Sequence, residues 1–284
     1  MDGIEFQQLV KTFQNVETLP QLPETSIRLI QACEDDNATL QTAEHIVASD
    51  PGLAATIIRA ASTARFLTAG GPATSVSSAV MRLGLRVLKA LAMTYTFRSL
   101  MNRRHSSEHY DPKAFAQHSV FVAIATQFMY DRQFGHSGHD LEEVFAFGLL
   151  HDLGICLLAN VAPEIYDEIW QRADNMKIGF DKSFEIKFQE PLTTLAWAAA
   201  AAWNLPDIFT EFLHSLTGKA DPNDLEPVAE IVRQASDLSA QLGYGIEPWV
   251  ETKCESDLNE AELKALKQAV DDYCAQAFGT ANAA

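Results

Sequence analysis

Apolar residues recur along this chain at spacings of three and four, and no stretch sustains strand alternation, so the pattern predicts an all-α protein. In "VASDPGLAATIIRAAS" a Ser-Asp pair precedes Pro51, which suits a helix from about 51 to 64 with a short polar cap and proline in its first turn. Before it, "PETSIRLIQACED" and "TLQTAEHIVAS" read as short amphipathic helices, and "GGPATS" reads as a loop leading into "SSAVMRLG". Gly84 should separate that short helix from the longer "LRVLKALAMTYTFRSLM", and Pro112 opens "KAFAQHSVFVAIATQFMY". Further helices are expected near 141–159, 163–174, 191–203, 206–217 and 224–242, with "NMKIGFDKS" among the connections. The last segment, "SDLNEAELKALKQAVDDYCAQAF", places Asp257 and Glu260 at capping-box spacing and carries a stripe through Leu258, Leu263, Leu266, Val270 and Phe278. These breaks divide the chain into an N-terminal segment (1–17), an N-terminal helical lobe (18–110), a central lobe (111–245) and an acidic tail with an amphipathic helix (246–284).

Composition narrows the function. A chain of 284 residues can bury a sizeable core, and nearly half of it is apolar (47%), so a globular protein is expected rather than a disordered one. A net charge of -17 repels phosphate backbones and anionic lipid, which argues against nucleic acid and membrane as partners. We expect no uninterrupted apolar stretch of membrane-spanning length, and "MDGIEFQQLVKTF" lacks the basic start and apolar core of a signal peptide, so the expectation is a soluble, cytoplasmic protein. Cys33, Cys156, Cys254 and Cys274 show no CxxC spacing, which indicates neither a disulfide framework nor a zinc-thiolate site.

The chemistry concentrates in "AFGLLHDLGICLLA", where His151 and Asp152 interrupt an apolar helical run. Groups so costly to bury need a partner, and the rest of the chain must supply it. A second cluster, "RSLMNRRHSSEHY", gathers Arg98, Arg103, Arg104, His105 and His109 in an acidic protein. It reads either as a contact for an anion or phosphoprotein or as cations ending a helix, where they complement its negative pole. Ser62 and Ser119 lack the glycine-flanked elbow of a nucleophile, Trp197 and Trp203 are expected on similar helix faces in the core, and no phosphate-binding or dinucleotide fingerprint occurs.

Several motifs occur in order: the LPxLP opening at Leu19 to Pro23, Asp50-Pro51, "SSAVMRLGLRVL", "QHS" at 117–119, "GLLHDLG" at 148–154, "WNLPDIF" at 203–209 and "ASDLSA" at 235–240. In that order they resemble the HDOD family, bacterial signalling proteins whose domain is related to the HD metal-dependent phosphohydrolases. Together they span roughly residues 18 to 242. The chain departs from the family with Ser62-Thr63 in place of an Asn-Ser pair and Arg65 in place of an aromatic residue.

The resemblance implies an N-terminal helical lobe and an HD-like helical lobe. Its minimal metal-binding set carries over to His118, His151, Asp152 and Asp237, which would hold one divalent cation. Leu192 and Leu216-Thr217 stand where further histidines of two-metal enzymes are found, and His214 is offset onto another helix face, so a binuclear centre is not expected. Three readings stay open. One is a non-catalytic signalling module that binds a protein partner or small ligand without a resident cofactor. Another is a single-metal phosphohydrolase acting on a nucleotide or phosphate ester, and the last is self-association through the tail helix.

Overall fold

The structure, a computed structural model, describes the chain except residues 1, 36, 64, 65, 67–70, 102–106, 136, 137, 221–223, 251–256 and 279–284, together with the side chains of 2–4, 101 and 276–278. The described elements are helices, as the apolar spacing predicts, and no strand element occurs among them. The chain opens with α1 (Asp2–Gln14). It continues through α2 (Glu24–Glu34), α3 (Leu40–Ala48), α4 (Pro51–Ala61) and α5 (Val76–Met101). Next come α6 (Pro112–Phe134), α7 (Leu141–Leu150), α8 (Leu153–Val161), α9 (Pro163–Met176) and α10 (Phe180–Phe188). The last are α11 (Thr193–Ala202), α12 (Asp207–Ser215), α13 (Glu226–Gln241) and α14 (Glu260–Phe278). Two compact units result, one of residues 21–103 and one that joins residues 1–20 to 104–284.

In the 21–103 unit, α2, α3 and α4 all pack on α5. Leu29, Ile30, Leu53, Ile57 and Leu88 are fully buried there. The punctuation behaves as its chemistry dictates: the Asp50 carboxylate accepts from the Gly52 and Leu53 amides at 2.9 and 3.0 Å, with Pro51 in the first turn. Gly84 takes φ 71°, which interrupts α5 where the sequence places a break. Lys89 is buried and pairs with Glu34 at 2.7 Å. The unit carries eight Lys and Arg against six Asp and Glu, whereas residues 1–20 with 104–284 carry thirteen against thirty-two, so the acidity of the chain belongs to the second unit.

The second unit is built around α6, against which α7, α13 and α14 pack. Its start is set locally, because the Asp111 carboxylate accepts from Lys113 and Ala114 amides at 2.8 and 3.1 Å and Pro112 occupies the first turn. Asp111→Ala should lower stability by about 1 kcal/mol; urea denaturation of the full chain checks this, and an unchanged midpoint would contradict the capping role. Segment 1–17 contains α1, which lies on α10 and α11 of this unit, with Phe6 and Phe13 buried and the Phe6 ring 5.8 Å from that of Phe188.

Several expectations need correction. The run predicted as one helix near 141–159 is two, because Asp152 leaves helical geometry with φ -100° and ψ 21°. By length and composition alone Leu141–Val161 would pass as a membrane-crossing segment, contrary to the sequence expectation, but 78% of its most apolar window is buried inside the protein. "GFDKS" is not simply a connection: Phe180 is fully buried and opens α10, a helix that the polar composition of the stretch conceals. The capping box of α14 is formed by Asn259 and Glu262, at 2.8 and 3.1 Å, rather than by Asp257 and Glu260. Trp203 is buried and Trp197 exposed, since six residues turn a helix by about 240°.

Candidate functional site

The site begins with a backbone contact between two helices. A Cβ at Gly148 on α7 would stand 2.7 Å from the Ala123 Cα and 2.9 Å from the Val122 carbonyl oxygen on α6, so only glycine allows this crossing. Three residues beyond Gly148 on one helix and about a turn before Val122 on the other, His151 and His118 face one another. Their rings lie 5.1 Å apart. The break at Asp152 then adds its carboxylate to the same point. Two consecutive residues of an unbroken helix would diverge by about 100°; Asp152 leaves helical geometry with φ -100°, and its Oδ2 lies 3.0 and 3.1 Å from the two inward imidazole nitrogens.

The three inward atoms form a nearly equilateral triangle. His118 Nε2 is 3.2 Å from His151 Nε2 and 3.0 Å from Asp152 Oδ2, and His151 Nε2 is 3.1 Å from the same oxygen. The outer ring nitrogens are already engaged: His151 Nδ1 contacts the Gly148 carbonyl at 2.8 Å, and His118 Nδ1 faces Ser239 Oγ at 2.8 Å and the Tyr244 carbonyl at 3.2 Å. If both outer nitrogens donate and both rings are neutral, three lone pairs converge with no hydrogen between them. Such a triangle needs a positive charge at its centre, either a proton on one inward nitrogen or a metal cation. Two cis donors about 2.1 Å from an octahedral cation stand about 3.0 Å apart, so the spacing fits one face of a two-His, one-carboxylate site.

The electrostatics are those of a buried, charge-assisted cluster. Burial opposes ionisation of Asp152, but the charge of His151 and the hydrogen bonds from both histidines outweigh it and hold the carboxyl well below its ordinary range. Burial likewise opposes protonation of His151, and Asp152 together with the Gly148 carbonyl outweighs it and raises the imidazole. Two further carboxylates stand near. Glu247 is pushed up by burial, with the Phe180 N–H opposing at 2.8 Å and the Asp152 charge assisting. Asp181, in the first turn of α10, is exposed; desolvation and then the charges of Asp152 and Glu247 raise its carboxyl.

Of the four residues that the family pattern implies, three come together and one does not. Asp237 is exposed on α13, and among the described residues the group able to hold a metal is His118, His151 and Asp152. The α13 residue that reaches the site is Ser239, two positions and about 200° further round the helix. Leu192 is buried against α8, where a Cβ on Gly154 would meet its carbonyl at 3.1 Å, and His214 stacks on Trp197 at 4.6 Å. In the basic cluster, Arg98 is half-buried on α5, Arg103, Arg104 and His105 lie outside the described residues, and His109 pairs with Asp167 at 3.1 Å. Sequence reasoning missed Asp181, Ser239, Tyr244 and Glu247. Only the acidic residues inside "GFDKS" and "GIEPWVE" offered a signal, and nothing local ties either stretch to position 151.

The sequence profile of the HDOD domain matches residues 19–216, so position 237 lies beyond the matched region. No curated protein matches the chain. Among solved structures it is similar to an HDOD domain protein of unknown function from Geobacter sulfurreducens, with a TM-score of 0.69 and 18% identity over 98% of this chain and 91% of that one. It also resembles a candidate phosphohydrolase from Shewanella amazonensis SB2B, with a TM-score of 0.67 and 19% identity over 95% and 96%. A candidate signal transduction protein from Marinobacter aquaeolei VT8 gives a TM-score of 0.63 and 20% identity over 98% of this chain but 64% of its own length. These likenesses agree on the all-α fold, and the profile covers well over half of the sequence: the chain belongs to the HDOD domain family.

Proposed function

We propose that this chain is a non-catalytic signal-transduction module that acts by binding a protein partner or a small ligand. The observation that carries this reading is the enclosure of the inward face. The side chains of His118, His151 and Asp152 are 5, 7 and 13% exposed, which leaves little room for a phosphate ester and an attacking water beside the same three atoms. Leu192 supports it by presenting buried apolar surface, not a ligand, beside α8. A bacterial, cytoplasmic setting goes with the family's signalling association. The acidic second unit disfavours nucleic acid and anionic membrane as partners. Self-association through the tail stripe is not part of the proposal, because Leu266 and Val270 are buried on a helix that packs on α6.

A second reading has one observation in its favour, the octahedral spacing of the triangle, which suits a single-metal phosphohydrolase using His118, His151 and Asp152. The deciding experiment is a phosphodiesterase and nucleotidase screen of the full chain with Mg²⁺, Mn²⁺ or Zn²⁺ added. The expected result is turnover no higher than that of Asp152→Ala. Metal-dependent turnover lost in that variant would overturn the non-catalytic reading.

A further inference from the structure

The turn before α6 carries another histidine–carboxylate pair, away from the triangle's atoms. The Ser107 hydroxyl donates to Asp167 Oδ1 at 2.7 Å and accepts from the amides of His109 and Tyr110 at 3.2 and 3.1 Å. One side chain thus closes the turn and fastens it to α9. The same carboxylate oxygen lies 3.1 Å from His109 Nδ1. Tyr110 anchors the end of the turn, buried with its ring 5.7 Å from that of Tyr166, and the Trp170 ring flanks the imidazole at 6.3 Å.

An ionised carboxylate only accepts, so Asp167 fixes the proton of neutral His109 on Nδ1 and leaves a lone pair on Nε2. Burial opposes ionisation of Asp167, but the bonds from Ser107 and His109 outweigh it and hold the carboxyl below its ordinary range. Among the described residues nothing bonds His109 Nε2, and the side chain is 32% exposed. His118 and His151 differ, being buried with both ring nitrogens engaged. The arrangement at His109 is that of an activated nucleophile: a reactive atom left open, a partner within hydrogen-bond reach, and a third group that orients the partner.

We infer that His109 is a phosphoryl acceptor, whose Nε2 takes the group from a small N-phosphoryl donor of the phosphoramidate class, with Asp167 as its positioning residue. The Nε2 lone pair forms the new N–P bond while the donor's own P–N bond breaks, and that electron pair leaves with ammonia. The donor nitrogen is already protonated, so no further proton is needed. The positive charge gained by the ring lies beside the Asp167 carboxylate, which stabilises it through Nδ1–H. The acidity of this unit, thirteen Lys and Arg against thirty-two Asp and Glu, repels donors that carry several negative charges and suits one that carries a single charge. The inference goes beyond the binding reading above and does not depend on it.

The test incubates the full chain with phosphoramidate at about pH 8, where imidazole is neutral. Modified positions are mapped by mass spectrometry without acid, with His109 assigned by fragmentation and by loss of its label in His109→Gln. His45 serves as the internal reference, since it is also exposed but its Nδ1 faces the Gln41 carbonyl at 3.1 Å. Label should reach His109 about tenfold faster than His45, the difference between a charged and a neutral acceptor at Nδ1. Asp167→Asn keeps an oxygen for Nδ1–H and removes the charge, so it should slow His109 about tenfold and leave His45 unchanged. A carboxylate that only pinned the turn would alter the thermal midpoint and not this ratio. Phosphorus and nitrogen NMR should place the group on Nε2. No label at His109, equal rates at His109 and His45, an unchanged His109 rate in Asp167→Asn, or phosphate on Nδ1 would each overturn the inference.

Discussion

Asp152→Ala is expected to lose divalent-cation uptake by at least ~100-fold, the upper end of what removal of supporting groups around a metal costs, because it deletes the only carboxylate of the triangle. Calorimetric titration or metal analysis after dialysis reads this directly. The same substitution should cost about 2 kcal/mol of stability without metal, since it removes charge-assisted hydrogen bonds with both histidines. That cost should depend on pH. The folded-state pKa of Asp152 is depressed, so its contribution is present above the ordinary carboxylate range and is lost as pH falls through the folded value. His151 is raised, so its contribution is complete below about pH 6.5 and is lost as pH rises through its folded value. The stability gap between wild type and variant should therefore be widest between about pH 4 and 6.5 and should shrink toward pH 9. Urea denaturation at acid and alkaline ends of that range tests it. An equal gap at both would remove the His151–Asp152 pair from the account.

Gly148→Ala should be the most damaging single-methyl change in the unit. The added carbon meets backbone on α6 at 2.7 and 2.9 Å, and backbone cannot swing aside as a flexible side chain can. Relief requires the helices to separate, at a cost of about 3 kcal/mol and about 10 °C in Tm for a unit of this size. Separation also moves His151 away from His118, so metal uptake should fall together with stability. Scanning calorimetry with a metal titration reads both. A variant with wild-type Tm would show that the close crossing does not govern the site.

How far the site could be read from sequence differs from residue to residue. His151 and Asp152 stand out because ionisable groups inside an apolar run are rare, and His118 follows from the family's order of motifs. Asp237 follows from the same order but is turned to solvent, because the face of α13 that meets α6 carries Ser239. Nothing local ties Glu247 or Tyr244 to the site, since they lie in irregular chain after α13 and reach it only through folding. The helix over Phe180 to Phe188 was hidden for a related reason: its polar residues read as a loop, while burial of Phe180, Phe184 and Phe188 stabilises it.

What the sequence by itself determined is everything set by near neighbours: the helical period, the caps at Asp50 and Asp111, the break at Gly84 and the family to which the chain belongs. These depend on hydrogen bonds and dihedral preferences that span a few residues. The tertiary structure alone decided which ionisable groups share a space. The α6–α7 crossing at Gly148, the bend at Asp152 and the turn at Gly243 bring together residues that are 33 to 126 positions apart, and such proximity depends on packing between helices that no local pattern records.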